Sequence, residues 1–252
     1  KAELDKSGSG YAVIRFLPAL DDDKTAFVRV FNHGFQGPGG WYIENSLTTI
    51  GQKDPLSEYN SVLWNSGIEA NKEIARKQKR RLTYFSNIYV VEDKANPQNE
   101  GKVFLFRFGK KIFDKISSMS NPEFEDETEV DIFNLWDGAN FKLKIRKVDG
   151  FSNYDKSEFM TSAPLSEDES EMESVFGQQH DLEEFIDQKS FKTYDELKTR
   201  LDTVLGNIQT AAMTAPTSVE NDEAPFDGGT PIPESSTSED ENLDYFKKLA
   251  EA

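Results

Sequence analysis

Short segments in which apolar and polar residues alternate are the feature that most constrains the fold of this chain. Six such segments occur in the first part of the sequence, separated by glycine, proline and polar residues: Tyr11–Leu17, Phe27–Phe31, Trp41–Glu44, Thr83–Val91, Val103–Phe108 and Phe141–Val148. A period of two places every second side chain on the same face of an extended chain, so the pattern predicts half-buried β-strands. A hairpin loop is predicted at Gly37–Gly40. Together these features predict a mainly β fold that forms a small barrel.

The remainder of the chain divides by composition. Residues 45–82 lack the alternating pattern and predict a segment inserted into a core domain of residues 1–160. From about Glu167, apolar residues recur at helical intervals, which predicts amphipathic helices in residues 161–213 that pack on the core. Residues 214–252 are rich in proline, serine, threonine, glycine and acidic residues, with too little apolar surface to offset the entropy of ordering. We expect a disordered acidic tail there, closed by a docking peptide at Leu243–Leu249.

The charge of the chain is distributed unevenly. The formal net charge is −17, from 46 acidic and 29 basic residues. Residues 155–252 contain 24 of the acidic and 7 of the basic residues, so residues 1–154 carry no net charge. Within residues 72–115 the bases outnumber the acids by 12 to 5. A basic stripe on a neutral body, followed by an acidic tail, is typical of a protein that binds phosphate groups.

Composition also excludes several classes of function. The chain has no cysteine, which excludes disulfides, thiol catalysis and cysteine-based zinc sites, and which fits a reducing compartment. No apolar run approaches the roughly 18 residues of a membrane span, so we expect no membrane association. Two histidines give no basis for a Ser–His–Asp arrangement.

Basic residues lie directly beside aromatic residues at three places on or near the predicted strands. Single-stranded DNA exposes a phosphate chain and base faces, so binding it without sequence preference requires cations next to stacking rings, each base contributing about 1–3 kcal/mol. The alternative is that the rings form the core and the lysines a solvated face. Because basic and aromatic residues share the same strands, the three clusters together favour DNA binding. The candidate DNA-binding residues are Arg76, Lys77, Lys79, Arg80, Arg81, Thr83, Tyr84, Phe106, Arg107, Lys110, Lys111, Phe151 and Tyr154.

Two other classes of function remain open on the residues alone. The dense acidic run Glu123–Asp131 is consistent with a metal-dependent nuclease, although consecutive carboxylates more often form a solvated loop. An interaction module that acts through its acidic tail, without binding DNA, is the third class.

Six blocks of sequence occur in order over residues 10–160, and they carry a resemblance. They are Tyr11–Pro18, Asn32–Phe35, Trp41–Glu44, Asn99–Phe104, Arg107–Ile112 and Gly150–Asp155. Together they resemble the core domain of the T-even bacteriophage helix-destabilising proteins. The resemblance implies an OB-type barrel without catalytic residues. It also implies sequence-nonspecific binding and protection of single-stranded DNA in phage replication, recombination and repair, in the cytoplasm of the infected bacterium.

The resemblance assigns roles to individual residues. The family's basic-plus-hydroxyl motif falls on Lys79, Arg80, Arg81 and Thr83, and its base-stacking rings fall on Tyr84, Phe106, Phe151 and Tyr154. Leu82 departs from the motif, and Phe106 stands where the family has tyrosine. Two further family tyrosines are not matched, because Lys53 and Ala75 occupy their positions.

The sharpest departure from the family concerns zinc. The resemblance implies a structural Zn²⁺ held by one histidine and three cysteines. His33 matches the histidine, but the cysteine positions are occupied by Ser46, Leu56 and Tyr59. One imidazole cannot complete a tetrahedral site, so we expect no zinc and a hydrogen-bonded, structural His33. An apolar cluster is expected to replace the metal, formed by Leu56, Tyr59, Leu63 and Trp64.

The resemblance finally implies protein partners. The acidic tail is similar to the region with which the family binds replication and recombination proteins. Self-association is a further expectation from the resemblance, although the basic N-terminal segment that mediates it in the family is not matched in this chain.

Overall fold

The computed structural model describes residues 8–124 and 126–206. The strands are β1 (Gly10–Phe16), β2 (Phe27–Gly37), β3 (Gly40–Asn45), β4 (Arg81–Glu92), β5 (Val103–Phe108), β6 (Asn140–Val148), β7 (Phe151–Asn153) and β8 (Glu158–Phe159). The helices are α1 (Pro55–Asn65), α2 (Glu69–Gln78), α3 (Lys110–Ser120), α4 (Glu169–Phe176) and α5 (Tyr194–Leu205). Short 3₁₀ turns span Leu47–Ile50, Pro97–Asn99, Glu183–Phe185 and Gln188–Ser190. The six strands predicted from alternation are confirmed.

The strands form one antiparallel sheet that remains open. Its main path runs β3-β2-β4-β1-β6-β7, while β5 pairs with β4 and β8 pairs with β6. No strand pair in residues 8–124 and 126–206 joins the two ends of this path. The strand pairing of the described residues therefore does not close the predicted barrel. The predicted hairpin loop is confirmed as a tight turn in which Gly37 lies opposite Gly40.

One face of the sheet covers what we call the aromatic core. Phe16 lies fully buried at its centre, with ring centroids of Phe106, Phe108, Phe133, Phe141 and Phe159 at 5.7–6.2 Å. Helix α3 closes the core with Ile112, Phe113 and Ile116. Alternate residues of β1, β4 and β6 point into this core, and Phe113 of α3 and Phe133 of the segment before β6 complete it.

A second core lies under the segment between β3 and β4. Its buried members are Phe35, Tyr42, Leu47, Leu56, Leu197, Leu201 and Val204. The N-cap Asp54 and Pro55 at the first position start α1, and the capping box of Thr193 and Glu196 starts α5. The β2–β3 turn touches α5 closely: Gly39 N donates to Val204 O over 2.9 Å, and a Cβ on Gly39 would lie 2.0 Å from Thr203 O. Only glycine fits at this approach.

The segment from residue 165 to residue 206 crosses the opposite face of the sheet. It joins the two parts of the molecule that surround the aromatic core and the second core, which we call its two lobes. Val175 packs with Leu17 and Val103, and the ring of Phe185 stacks on Phe85 at 4.4 Å. Helix α5 then packs on the second core. None of the helices within the described ranges is long and apolar enough to cross a membrane.

Candidate nucleic-acid interface

Strand β2 runs from the aromatic core to the second core. We call the part of its surface between the two cores, around Arg29 and Phe31, the junction. Phe27 packs against the aromatic core and Phe35 belongs to the second core. Arg29 and Phe31 lie between them on the same face, because every second residue of a strand shares a face. Arg29 is exposed and Phe31 is half-buried. In β4, Leu82 pairs opposite Phe31.

Arg80 lies in this junction and is held by two side chains. Its Cζ atom lies 4.2 Å from the centroid of the Phe31 ring, a cation–π contact. Its Nη1 donates to Thr48 Oγ1 over 2.9 Å. The sequence analysis included Arg80 but missed Arg29 and Phe31. Their signal was present, since residues 27–31 alternate aromatic and basic residues on one strand face.

The other predicted basic residues between Arg76 and Arg81 make contacts of their own. Arg76, on α2, donates to the carboxylates of Glu69 (2.8 Å) and Glu73 and lies over the Trp64 ring; its hydrogen bond to Glu69 raises the pKa of Arg76. Lys79 follows α2 and is exposed. Lys77 and Arg81 line an open pocket of about 540 Å³ beside the β2–β3 hairpin.

Thr83 and Arg81 lie on the β4 face opposite to Leu82, since the three residues alternate along the strand. Thr83 Oγ1 accepts a hydrogen bond from Asn32 Nδ2 over 2.9 Å. Arg81 Nη2 lies 3.5 Å from Gly34 O. The predicted basic-plus-hydroxyl motif therefore divides between two faces, and its Arg80 lies over the Phe31 ring at the junction.

Tyr84 lies in the aromatic core and does not present a ring to solvent. Its side chain is 4 % exposed, and its ring stacks on Phe113 at 4.2 Å and on Phe108 at 5.4 Å. Burial raises the pKa of its hydroxyl to about 12. The expected stacking of a base on Tyr84 is at odds with this position, because the ring already has partners.

Phe106 and Tyr154 occupy the rim of the same core. Both are half-buried and pack against it, and Phe106 stacks on Phe108 with centroids 5.5 Å apart. Phe151, in β7, is also half-buried. Partly exposed rings at a core rim can accept a base without unfolding the protein.

Of the basic residues predicted at Arg107, Lys110 and Lys111, Lys111 reaches strand β7. Lys111 Nζ donates to Asn153 Oδ1 over 3.3 Å, which brings the start of α3 next to Phe151. Lys110 pairs with Asp114 within its own helix at 2.8 Å. Arg107 lies opposite Phe85 in the β4–β5 pair, on the face crossed by the C-terminal segment and away from Phe106.

The residues at the positions of the family's zinc ligands do not fit a zinc site. His33 is buried; its Nδ1 donates to Gln78 O over 3.1 Å, and its Nε2 lies 3.5 Å from Asp54 Oδ1. Ser46 is buried, and Leu56 lies in the second core with Tyr59 against it. Zinc takes four nitrogen, sulfur or oxygen ligands in a structural site. Nowhere in residues 8–124 and 126–206 do three such side chains gather, and this includes the described part of the acidic run Glu123–Asp131.

The polar group of this lobe is therefore the buried pair of His33 and Asp54. Burial acts to raise the pKa of Asp54, but His33 and the N–H groups of Ser57 and Leu47 outweigh it and lower the pKa to about 2. Asp54 Oδ1 also caps α1 by accepting from Ser57 N over 2.9 Å. Of the expected apolar cluster, Leu56 and Tyr59 lie in the second core, Leu63 is half-buried, and Trp64 is 48 % exposed and does not belong to that core.

A mainly antiparallel sheet with cations and half-buried rings at its junction and rim defines the class of nucleic-acid-binding β proteins. Residues 8–205 match the family described as gp32 DNA binding protein like, and the chain belongs to this family. It is 46% identical over 220 residues to the single-stranded DNA-binding protein of Enterobacteria phage T2, covering 84% of this chain and 70% of the relative. The corresponding protein of Enterobacteria phage T4 is 46% identical over 213 residues, with 82% and 69% covered. A similar protein of Enterobacteria phage RB70 is 43% identical over 89 residues, 34% of this chain and 73% of that protein.

Proposed function

We propose that this protein binds single-stranded DNA without sequence preference, through the junction between its two lobes and the rim of its aromatic core. The observation that carries the proposal is Arg80 stacked on Phe31, with Arg29 on the same strand face. The names of the phage relatives support the same function.

The proposed mechanism combines charge and stacking. Arg29, Arg80 and Lys111 neutralise backbone phosphates and release counterions, while Phe106, Phe151 and Tyr154 accept unstacked bases. Duplex DNA hides its base faces, so these rings have a higher affinity for melted strands. The difference in affinity destabilises a duplex without any nucleotide hydrolysis and without catalysis.

The wider role follows the family. We propose that the protein coats and protects single strands during phage replication, recombination and repair in the cytoplasm of the infected bacterium. Its acidic tail and docking peptide, which lie outside the described residues, would bind replication and recombination proteins, and self-association is proposed on the same footing. The proposal includes an OB-type fold, supported by β1 pairing with both β4 and β6.

Fluorescence titration with oligo-dT at several salt concentrations tests the function. Arg80→Ala should weaken binding and flatten the salt slope by about one unit. Arg76→Ala is the matched control and should change the slope less, because two carboxylates already engage Arg76. An unchanged slope in Arg80→Ala, or no binding by the unaltered protein, would refute the proposed site or function respectively.

Ring substitutions test the division between core and interface. Phe106→Ala and Phe151→Ala should weaken binding while leaving the salt slope intact, because a ring contributes stacking and no charge. Tyr84→Ala should mainly lower the melting temperature, since its ring is buried. The proposed rim surface is wrong if all three variants only reduce stability.

Two further measurements separate the alternatives. Deleting residues 215–252 should tighten DNA binding most at low salt if the acidic tail competes with phosphate for the cations. Cleavage of DNA that depends on Mg²⁺ would instead favour a nuclease.

We also propose that the protein folds and binds DNA without zinc, because hydrogen-bonded and apolar side chains occupy the positions of the family's ligands.

A further inference from the structure

Arg80 uses one of its guanidinium N–H groups in the hydrogen bond to Thr48 Oγ1. The guanidinium carbon Cζ lies over the Phe31 ring, 4.2 Å from its centroid, and the hydrogen bond to Thr48 Oγ1 uses Nη1. A guanidinium has five N–H donors in a rigid planar fork that matches a phosphate. A cation restrained in this way keeps its fork in a defined plane.

Thr48 is itself oriented by a second hydroxyl. Ser46 Oγ lies 3.0 Å from Thr48 Oγ1 and also accepts from Thr48 N over 3.4 Å. Arg80 has no acceptor, so Thr48 Oγ1 accepts from Arg80 and can direct its own proton only to another acceptor such as Ser46. Ser46 is fully buried, so its side chain holds the Thr48 hydroxyl in one orientation.

The ring and the hydroxyls belong to one tightly connected unit. Ser46 N donates to Phe31 O over 2.8 Å. Phe31 N donates to Thr49 Oγ1 over 2.9 Å, and that hydroxyl lies 3.3 Å from Phe31 O. The 3₁₀ turn Leu47–Ile50 is therefore bonded to the β2 residue whose ring lies under Arg80.

We infer that Phe31, Thr48 and Ser46 are positioning residues that orient the Arg80 guanidinium toward a backbone phosphate of single-stranded DNA. The inference rests on the proposed function and deepens it. Ser46 stands where the resemblance implies a cysteine, and its hydroxyl lies within hydrogen-bond distance of Thr48 Oγ1. An arginine that is already ordered loses less side-chain entropy when it binds.

The test removes the Thr48 hydroxyl with little change in shape and measures oligo-dT affinity in two backgrounds. Thr48→Val should weaken binding about 3- to 10-fold, the cost of immobilising one flexible side chain on binding. The salt slope should not change, because no charge is removed. Thr48→Ser should restore affinity. In an Arg80→Lys background Thr48→Val should have little further effect, since an ammonium cannot keep the stacked, planar geometry.

Thr199→Val is the matched control, because the exposed Thr199 hydroxyl donates to Asp195 O within helix α5 and makes no contact with Arg80; its affinity should equal that of the unaltered protein. An equal loss from Thr48→Val in both backgrounds, or no rescue by Thr48→Ser, would overturn the positioning role while the proposed function stands. Failure of the unaltered protein to bind oligo-dT would overturn the proposed function, and this role with it.

Discussion

The aromatic core and the second core differ in where their residues come from. The first is assembled by strands and by α3, the helix that directly follows β5. The second joins the β2–β3 hairpin and α1 to α5, and contacts such as Tyr194 Oη to Glu58 Oε2 at 2.7 Å span 136 residues of sequence. The first core thus forms from elements that lie close in sequence to its strands, whereas the lobe that holds Thr48 and Arg80 depends on a helix near the end of the described chain.

The largest effect is expected in the aromatic core. Phe16→Ala removes a fully buried ring that contacts five others, and it should lower the free energy of unfolding by about 3–5 kcal/mol. Urea unfolding followed by near-ultraviolet circular dichroism measures it. Tyr11→Ala, on the same strand but 40 % exposed, is the control. Equal effects of the two substitutions would contradict the placement of this core.

A slightly smaller and local effect is expected in the second core. Leu197→Ala should lower the free energy of unfolding by about 2–5 kcal/mol, because this α5 side chain is fully buried against the hairpin. Hydrogen exchange should speed up in α1, α2 and the 3₁₀ turn, and change little in β1 and β6. Lys198→Ala, exposed on the same helix, should leave exchange unchanged. Uniform loss of protection would show that the two cores unfold as one.

Acid should weaken the second core first. The pKa of Asp54 is lowered to about 2, below its ordinary value, so the unfolded chain binds its proton more readily. This stabilisation, on the order of 2 kcal/mol, is complete above about pH 4 and is lost as the pH falls toward 2. Asp54→Asn should remove that part of the pH dependence in urea unfolding. An identical acid profile for the variant would mean that other carboxylates account for it.

The same contrast explains what the sequence could predict. Alternation located β1, β5 and β6, because a period of two is a local property. It could not decide whether Tyr84 faces a core or a ligand, since both uses place a ring on one strand face. The second core was only half predicted: Leu56 and Tyr59 belong to it, but its other partners come from α5. Phe31 was missed because its contact is with Arg80, which reaches the ring from the turn after α2.

The smallest expected effect is that of a chelator, and it tests how the second core is held together. If the pair of His33 and Asp54 and the side chains of Leu56 and Tyr59 stabilise this lobe, excess EDTA should leave both the melting temperature and the oligo-dT affinity unchanged. Purified protein should likewise contain no stoichiometric zinc by elemental analysis. His33→Ala is the informative companion, because it breaks the hydrogen bond to Gln78 O and should destabilise the lobe equally with and without EDTA. A fall in melting temperature on chelation, abolished in His33→Ala, would show that a metal does act here and that the two cores differ in a way the side chains alone do not explain.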